Sequence, residues 1–149
     1  MFKLIEKDEN DLFKLKVVKK EKLTHDTYLI RLEFPNPEWI AGLWAGAHYT
    51  LHSDIGDKHI VKRYTPISPV NQKGFADFAI KVYRNNEQFP NGGVFTQHLE
   101  KNINVGDMMT CEGPIGMLRY LGWGKFVFKK VEMEHKKTNV FLIAGGSGI

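Results

Sequence analysis

Apolar and polar residues alternate with a period of two along several short stretches of this chain. At 12–18, Phe13, Leu15 and Val17 share one side against Lys14 and Lys16, which is the pattern of a strand with one buried and one wet face. At 27–34, Tyr28, Ile30, Leu32 and Phe34 oppose Thr27, Arg31 and Glu33. The segments 48–53 (HYTLHS), 59–67 (HIVKRYTPI), 75–84 (FADFAIKVYR) and 107–113 (DMMTCEG) read likewise, with Asp-Ile-Gly-Asp and Asn-Gln-Lys-Gly turns between some of them. One helix is predicted, at 95–101 (FTQHLEK), directly after Gly92-Gly93. Many short strands with regular turns and one short helix predict an all-β fold, a six-stranded antiparallel Greek-key barrel.

The pattern changes near residue 138. TNVFLIAGGSGI at 138–149 carries an unbroken apolar run, Val140 to Ala144, and then glycines. A strand buried on both faces of a parallel sheet needs such a run, and glycines after it let the backbone approach a ligand. An ordinary buried strand and turn would look the same. The expected organisation is a charged N-terminal segment at 1–11, a barrel domain at 12–137, and at 138–149 the first strand and Gly-rich turn of an absent or truncated α/β nucleotide-binding domain.

Composition narrows the class. At 149 residues the chain suits one core, and 42% hydrophobic with 26% charged residues fits a globular protein without an apolar membrane span. The first twenty residues show neither a signal peptide nor a transit peptide. A single cysteine, Cys111, excludes an internal disulfide framework and suits a reducing compartment. The net charge of +4 is spread among strands that also carry acids, which argues against nucleic acid and for phosphate-bearing cofactors or an acidic redox partner. Lys125, Lys129, Lys130, Lys136 and Lys137, interleaved with Glu132 and Glu134, read as a solvated loop without a role. No metal site is expected.

Three segments carry candidate chemistry. In RYTPIS at 63–68 a guanidinium can grip phosphate, a tyrosine ring can cover a flat aromatic face, and hydroxyls can donate to ring or chain atoms. An Arg-Tyr pair on a barrel exterior before a Pro turn is the plainer alternative. In FPNGGVFTQHL at 89–99 two glycines lead into a helix whose free amides, with the Thr96 hydroxyl, can cradle a pyrophosphate. A bland helix start has the same look. In KVYR at 81–84 alternation sets Lys81 and Tyr83 on one face, opposite Ile80 and Val82.

The order of these elements, with GDxxxxxGPxG at 106–116 and AGGSGI at 144–149, resembles the ferredoxin reductase type FAD domain of NADH-cytochrome b5 reductases, shared by nitrate reductase flavin domains. The likeness runs from LTHDT at 23–27 and GLWAGAHYTL at 42–51 through GPIGMLRYLGWGKF at 113–126. It implies an FAD-binding barrel and a following domain that brings NADH to the flavin, with electrons leaving to a heme protein such as cytochrome b5. By position, Tyr64 and Thr65 match residues at the ribityl chain and flavin ring, with Thr65 the catalytic candidate as hydrogen-bond neighbour of N5. Lys81, Tyr83 and Phe89 match residues lining the ring and adenosine parts. Gly92, Gly93 and Thr96 match the pyrophosphate cradle, and Gly145, Gly146, Ser147 and Gly148 the turn that meets nicotinamide.

Two departures stand out. The family pattern is Arg-x-Tyr-Thr, whereas here Lys62 takes the arginine position and Arg63 follows on the opposite strand face. The usual lysine after the glycine pair is Val94, so phosphate contacts are fewer. A complete reductase also needs a nicotinamide domain that these 149 residues do not contain, and membrane-bound relatives carry an apolar anchor. Three readings stand: part of a working NADH-heme protein reductase, a shortened FAD-fold accessory subunit of a larger, possibly mitochondrial respiratory assembly, or a separate flavin module. The resemblance implies the mitochondrial or cytosolic face of a membrane, reached only through other segments or partners.

Overall fold

The structure, a computed structural model, describes residues 8–9, 11–128, 133–141 and 143. Six strands, β1 (Leu12–Lys22), β2 (Thr27–Glu33), β3 (His48–Ile55), β4 (Lys58–Tyr64), β5 (Phe75–Lys81) and β6 (Met108–Ile115), form one antiparallel sheet in the order β4-β3-β6-β1-β2-β5. Placing β6 between β3 and β1 is the Greek-key step. The predicted six strands and one helix are all present.

Alternation decides which face is buried. Phe13, Leu15 and Val17 of β1, Ile30 and Leu32 of β2, and Tyr49 and Leu51 of β3 point into one core. Ala76, Phe78 and Ile80 of β5 and Met109 and Cys111 of β6 complete it from the same sheet face. The edge strands β4 and β5 are joined by a loop rather than a ladder. Pro66 lacks the N–H a ladder needs, so β4 stops at Tyr64 and the chain crosses to β5. There Ile67 N–H donates to the Asp77 carbonyl at 2.8 Å, and Asp77 N–H donates to Ser68 Oγ at 3.1 Å. Arg31 fixes the β2–β5 register by a two-pronged bond to Asp77, both contacts 2.8 Å.

Helix α1 (Val94–Asn102) covers the core with Phe95 and Leu99. A helix of this length is marginal alone, and burial stabilises it by roughly 1.5–3 kcal/mol for each such side chain. Its C-terminal end is held by Lys20 of β1, whose Nζ donates to the carbonyls of Leu99 at 3.0 Å and of Glu100 and Ile103 at 2.6 Å. A cation there satisfies groups that the last helical turn leaves unpaired. Burial lowers the Lys20 pKa, with Glu100 and Asp107 opposing that shift.

One expectation is corrected. Residues around Lys125 to Lys137 are no simple loop: β7 (Leu118–Gly122), β8 (Lys125–Phe128) and β9 (Met133–Lys136) form a second antiparallel sheet. Trp123 at φ 53° and Gly124 at φ 74° make its first turn. Most side chains of β7 and β8 are exposed or half-buried, so no buried face imposes alternation and the strands are invisible to a periodicity argument. Lys129, Lys130 and Glu132 lie outside the described residues. Val140, Phe141 and Ile143 have no strand pairing and are exposed, since no described element packs against them as a doubly buried strand requires.

Candidate functional site

Strand β4 divides the two basic residues before Tyr64. Lys62 pairs with Leu51 and Tyr64 with Tyr49, both core residues, whereas Arg63 pairs with Thr50 on the outer face. Lys62 therefore shares the Tyr64 side, exposed because β4 is an edge. Arg63 lies with Thr50, Val61, Glu112 and Ile115 around an outer hollow of about 610 Å³, whose rim Lys62 also touches. The half-buried Tyr64 ring packs on Phe95 of α1, centroids 5.9 Å apart. Burial, with Tyr83 as a second cause, pushes its pKa up to about 12, so the phenol stays a neutral donor. Thr65 is exposed and opens the loop that crosses to β5.

The end of β5 and the start of α1 are locked together. Gly93 N–H donates to the Tyr83 carbonyl at 2.7 Å, Tyr83 N–H donates to Thr96 Oγ1 at 3.2 Å, and the Thr96 hydroxyl donates to the Gly93 carbonyl at 3.0 Å. A Cβ on Gly92, already at φ +54°, would come within 2.5 Å of the Tyr83 carbonyl. One on Gly93 would come within 2.5 Å of Thr96 Oγ1. The glycine pair is thus required first by the chain's own close packing.

Around this lock Tyr83, Arg84, Asn86, Phe89, Gly92 and Gly93 line a cleft of about 320 Å³. Asn86 shapes its rim by accepting from Phe89 N–H at 2.7 Å. The helix start has no side-chain cap and no acid in its first turn, so its positive end is open to an anion. Lys81 shares the exposed side with Tyr83, as alternation predicts, but its Nζ pairs with Asp26 at 3.2 Å. Hydrogen bonds from Thr24, then Lys81 and Thr27, hold the Asp26 carboxyl down at about 2 against desolvation.

The structure thus gathers Tyr83, Phe89, Gly92 and Gly93 at one cleft, with Thr96 beneath and Tyr64 against the same helix. It sets Arg63 on the other sheet face and pairs Lys81 away. Gly145, Gly146, Ser147 and Gly148 lie outside the described residues. Sequence reasoning missed Asp26, Asn86 and Phe95. Asp26 in the LTHDT turn was open to discovery as a carboxylate between two threonines, an arrangement that favours local hydrogen bonds. Among the described residues no group of three His, Cys, Asp or Glu side chains is placed to hold a metal ion, and no helix is long and apolar enough to cross a membrane.

An anion-accepting helix end, a side-chain-free approach and aromatic rings at one edge of the barrel fit a dinucleotide with a flat head group such as FAD. Comparison with known proteins agrees. The model of the oxidoreductase FAD-binding domain matches residues 14–120. NADH-cytochrome b5 reductase 3 of Rattus norvegicus is 39% identical over 147 residues, 92% of this chain and 47% of that protein. Nitrate reductase [NAD(P)H] of Betula pendula is 37% identical over 137 residues, 90% of this chain and 15% of that protein. The crystal structure of the cytochrome b5 reductase domain of Ulva prolifera nitrate reductase superposes with a TM-score of 0.79 at 27% identity, over 89% of this chain and 50% of that one. The chain spans about half the length of the cytochrome b5 reductases it matches. With nearly all of the barrel inside the match, the chain belongs to the oxidoreductase FAD-binding domain family, in the cytochrome b5 reductase and nitrate reductase branch.

Proposed function

We propose that this chain holds FAD as the flavin-binding part of a NADH-cytochrome b5 reductase-like oxidoreductase that passes electrons from NADH through FAD to a heme protein. The observation that carries the reading is the cleft at the Gly92-Gly93 helix start, joined to Tyr64 through Phe95. When bound, FAD supplies the step from two-electron to one-electron chemistry. The residues of the chain position it. The amides at the start of α1 and Lys62 would hold the pyrophosphate, with Thr96 keeping the helix end in place. Tyr64 and Thr65 would hold the ribityl chain and ring, with Thr65 the candidate hydrogen-bond partner of the flavin, and Tyr83, Phe89 and Lys81 would line the ring and adenosine parts. Gly145 to Gly148 are the candidates for meeting nicotinamide.

Fewer phosphate contacts at Lys62 and Val94 favour one second reading, an accessory subunit of a mitochondrial, membrane-associated respiratory assembly that keeps the fold without flavin. The division 1–11, 12–137 and 138–149 belongs to the same proposal. A visible absorption spectrum of the purified chain after incubation with FAD and gel filtration separates the two. Flavin bands at a one-to-one ratio support the flavoprotein. A folded chain that elutes colourless overturns it in favour of the accessory subunit.

A further inference from the structure

The outer face of β3, β4 and β6, opposite the sheet face that carries Tyr64, holds a continuous line of polar contacts. Glu112 Oε2 meets Thr50 Oγ1 at 3.0 Å, and Thr50 Oγ1 meets His52 Nε2 at 3.0 Å. His52 Nδ1 meets His59 Nε2 at 3.1 Å, and His59 Nδ1 meets Asp54 Oδ1 at 2.7 Å. Thr50 and His52 are buried, while Asp54 and His59 are exposed.

Counting hydrogens along this line gives a result that no single residue shows. Both ends are carboxylates, which accept and do not donate when ionised. Each of the four contacts needs one hydrogen, but Thr50 and two neutral histidines bring only three between them. If Thr50 donates to Glu112, His52 must donate from Nε2 to Thr50. Then either His52 Nδ1 accepts and His59 donates from both of its nitrogens, or His52 donates from both of its own and His59 donates to Asp54 alone. The line closes only with a fourth proton.

We infer that Asp54, His59, His52, Thr50 and Glu112 form a proton-binding chain that holds one proton beyond those of its neutral groups and so fastens β4 to β3 and β6. The charge sits on one of the two imidazoles: His59 bonds Asp54 at 2.7 Å, and His52 Nε2 lies 3.7 Å from Glu112 Oε2. On the same face of β4, Val61 stands between His59 and the cationic Arg63. Other titratable or charged groups near this line are His48 of β3, Lys14 and Lys16 of β1, opposite Thr110 and Met108, and Lys58, which follows the Asp54–His59 pair at the hairpin end; Thr110 in turn pairs with His52. Losing the proton sets two lone pairs against each other at one of the contacts. The proton is shared by the line, so its titration belongs to the set.

The sign follows from linkage. A folded state that keeps a proton the unfolded chain has released gains stability at the acid side and loses it as pH rises. The test is a ring-nitrogen NMR titration of the full chain over the range where histidine ordinarily changes charge, about pH 5 to 9, with the urea-unfolded chain as reference. We expect the His52 and His59 rings of the folded chain to carry three hydrogens between them at a pH where those of the unfolded chain carry two. Asp54→Ala removes one contact and leaves three contacts for three hydrogens. In that variant the two rings should carry two hydrogens between them, and the loss of urea resistance toward high pH should flatten. Both positions are exposed, so the variant tests the proton rather than the core. Two ring hydrogens in the folded wild type at that pH, or three in Asp54→Ala, overturn the inference. So does stoichiometric zinc binding lost in His59→Gln, which would make the line a metal site instead.

Discussion

The Tyr83 backbone is bonded in both directions to the start of α1: its N–H donates to Thr96 Oγ1 at 3.2 Å, and its carbonyl accepts from Gly93 N–H at 2.7 Å. The end of β5 and the helix start are therefore one unit. Thr96→Val keeps the shape but removes the hydroxyl, leaving Tyr83 N–H without its acceptor. A loss of about 1–3 kcal/mol is expected in urea unfolding, with lower flavin content, and Thr96→Ser should restore both. Equal stability of the valine variant and wild type would show that the hydroxyl is dispensable.

Gly93→Val tests the same unit by filling it. The new side chain meets the Thr96 hydroxyl and, at 3.1 Å, the Tyr83 side chain, so the helix start must move. Overpacking of this kind costs about 1–3 kcal/mol, and flavin should be released even where the barrel stays folded. Circular dichroism reports the fold and absorbance of the filtered protein reports the flavin. A folded variant that retains full flavin removes the cradle assignment.

Acid should act at the turn before β2. The Asp26 carboxyl lies at about 2 when folded, held down chiefly by Thr24 and then by Lys81 and Thr27, against an ordinary value of 3.8. A depressed folded pKa contributes stability above the unfolded value, and that contribution is lost as pH falls through the folded one. Urea midpoints measured from pH 5 downward should therefore drop between about pH 4 and 2, and Asp26→Asn should flatten that stretch while lowering the plateau above it. An identical acid slope in the variant would assign the loss to other carboxylates.

How much of this was legible in the sequence depends on whether a side chain had a buried face to report. Phe13, Leu15, Ile30, Leu32 and Phe78 alternate because the core demands it, so six strands could be read. Tyr120, Leu121 and Trp123 in and beside the second sheet are exposed, and the lysine-rich stretch 125–137 after them has no alternation to tell β8 and β9 from loop. The site divides in the same way. Gly92, Gly93 and Thr96 announce a tight helix start through residue type alone. The pairing of Lys81 with Asp26 depends on the turn at 24–27 meeting the end of β5, a contact distant in sequence. Phe95 was hidden for another reason: an apolar residue in a helix reads as core, and nothing local says that Tyr64 will stack on it.

The two basic residues of β4 give the sharpest test of the proposed flavin site. Register places Lys62 opposite Leu51 and Arg63 opposite Thr50, so the pair straddles the sheet with Lys62 on the Tyr64 side. A lysine gives phosphate a point charge rather than a two-pronged grip, yet position outranks strength here. Arg63 faces Thr50 and Glu112 across the sheet from the helix start. Lys62→Ala should weaken FAD binding about tenfold, or ~1.4 kcal/mol, and Arg63→Ala by clearly less. Lys62→Arg should tighten binding by restoring the fork that recognises phosphate. Fluorescence quenching of FAD on titration with each variant measures all three. The reverse ranking of the alanine variants would mean that β4 slips by one residue when flavin binds, since a one-residue shift exchanges the two faces.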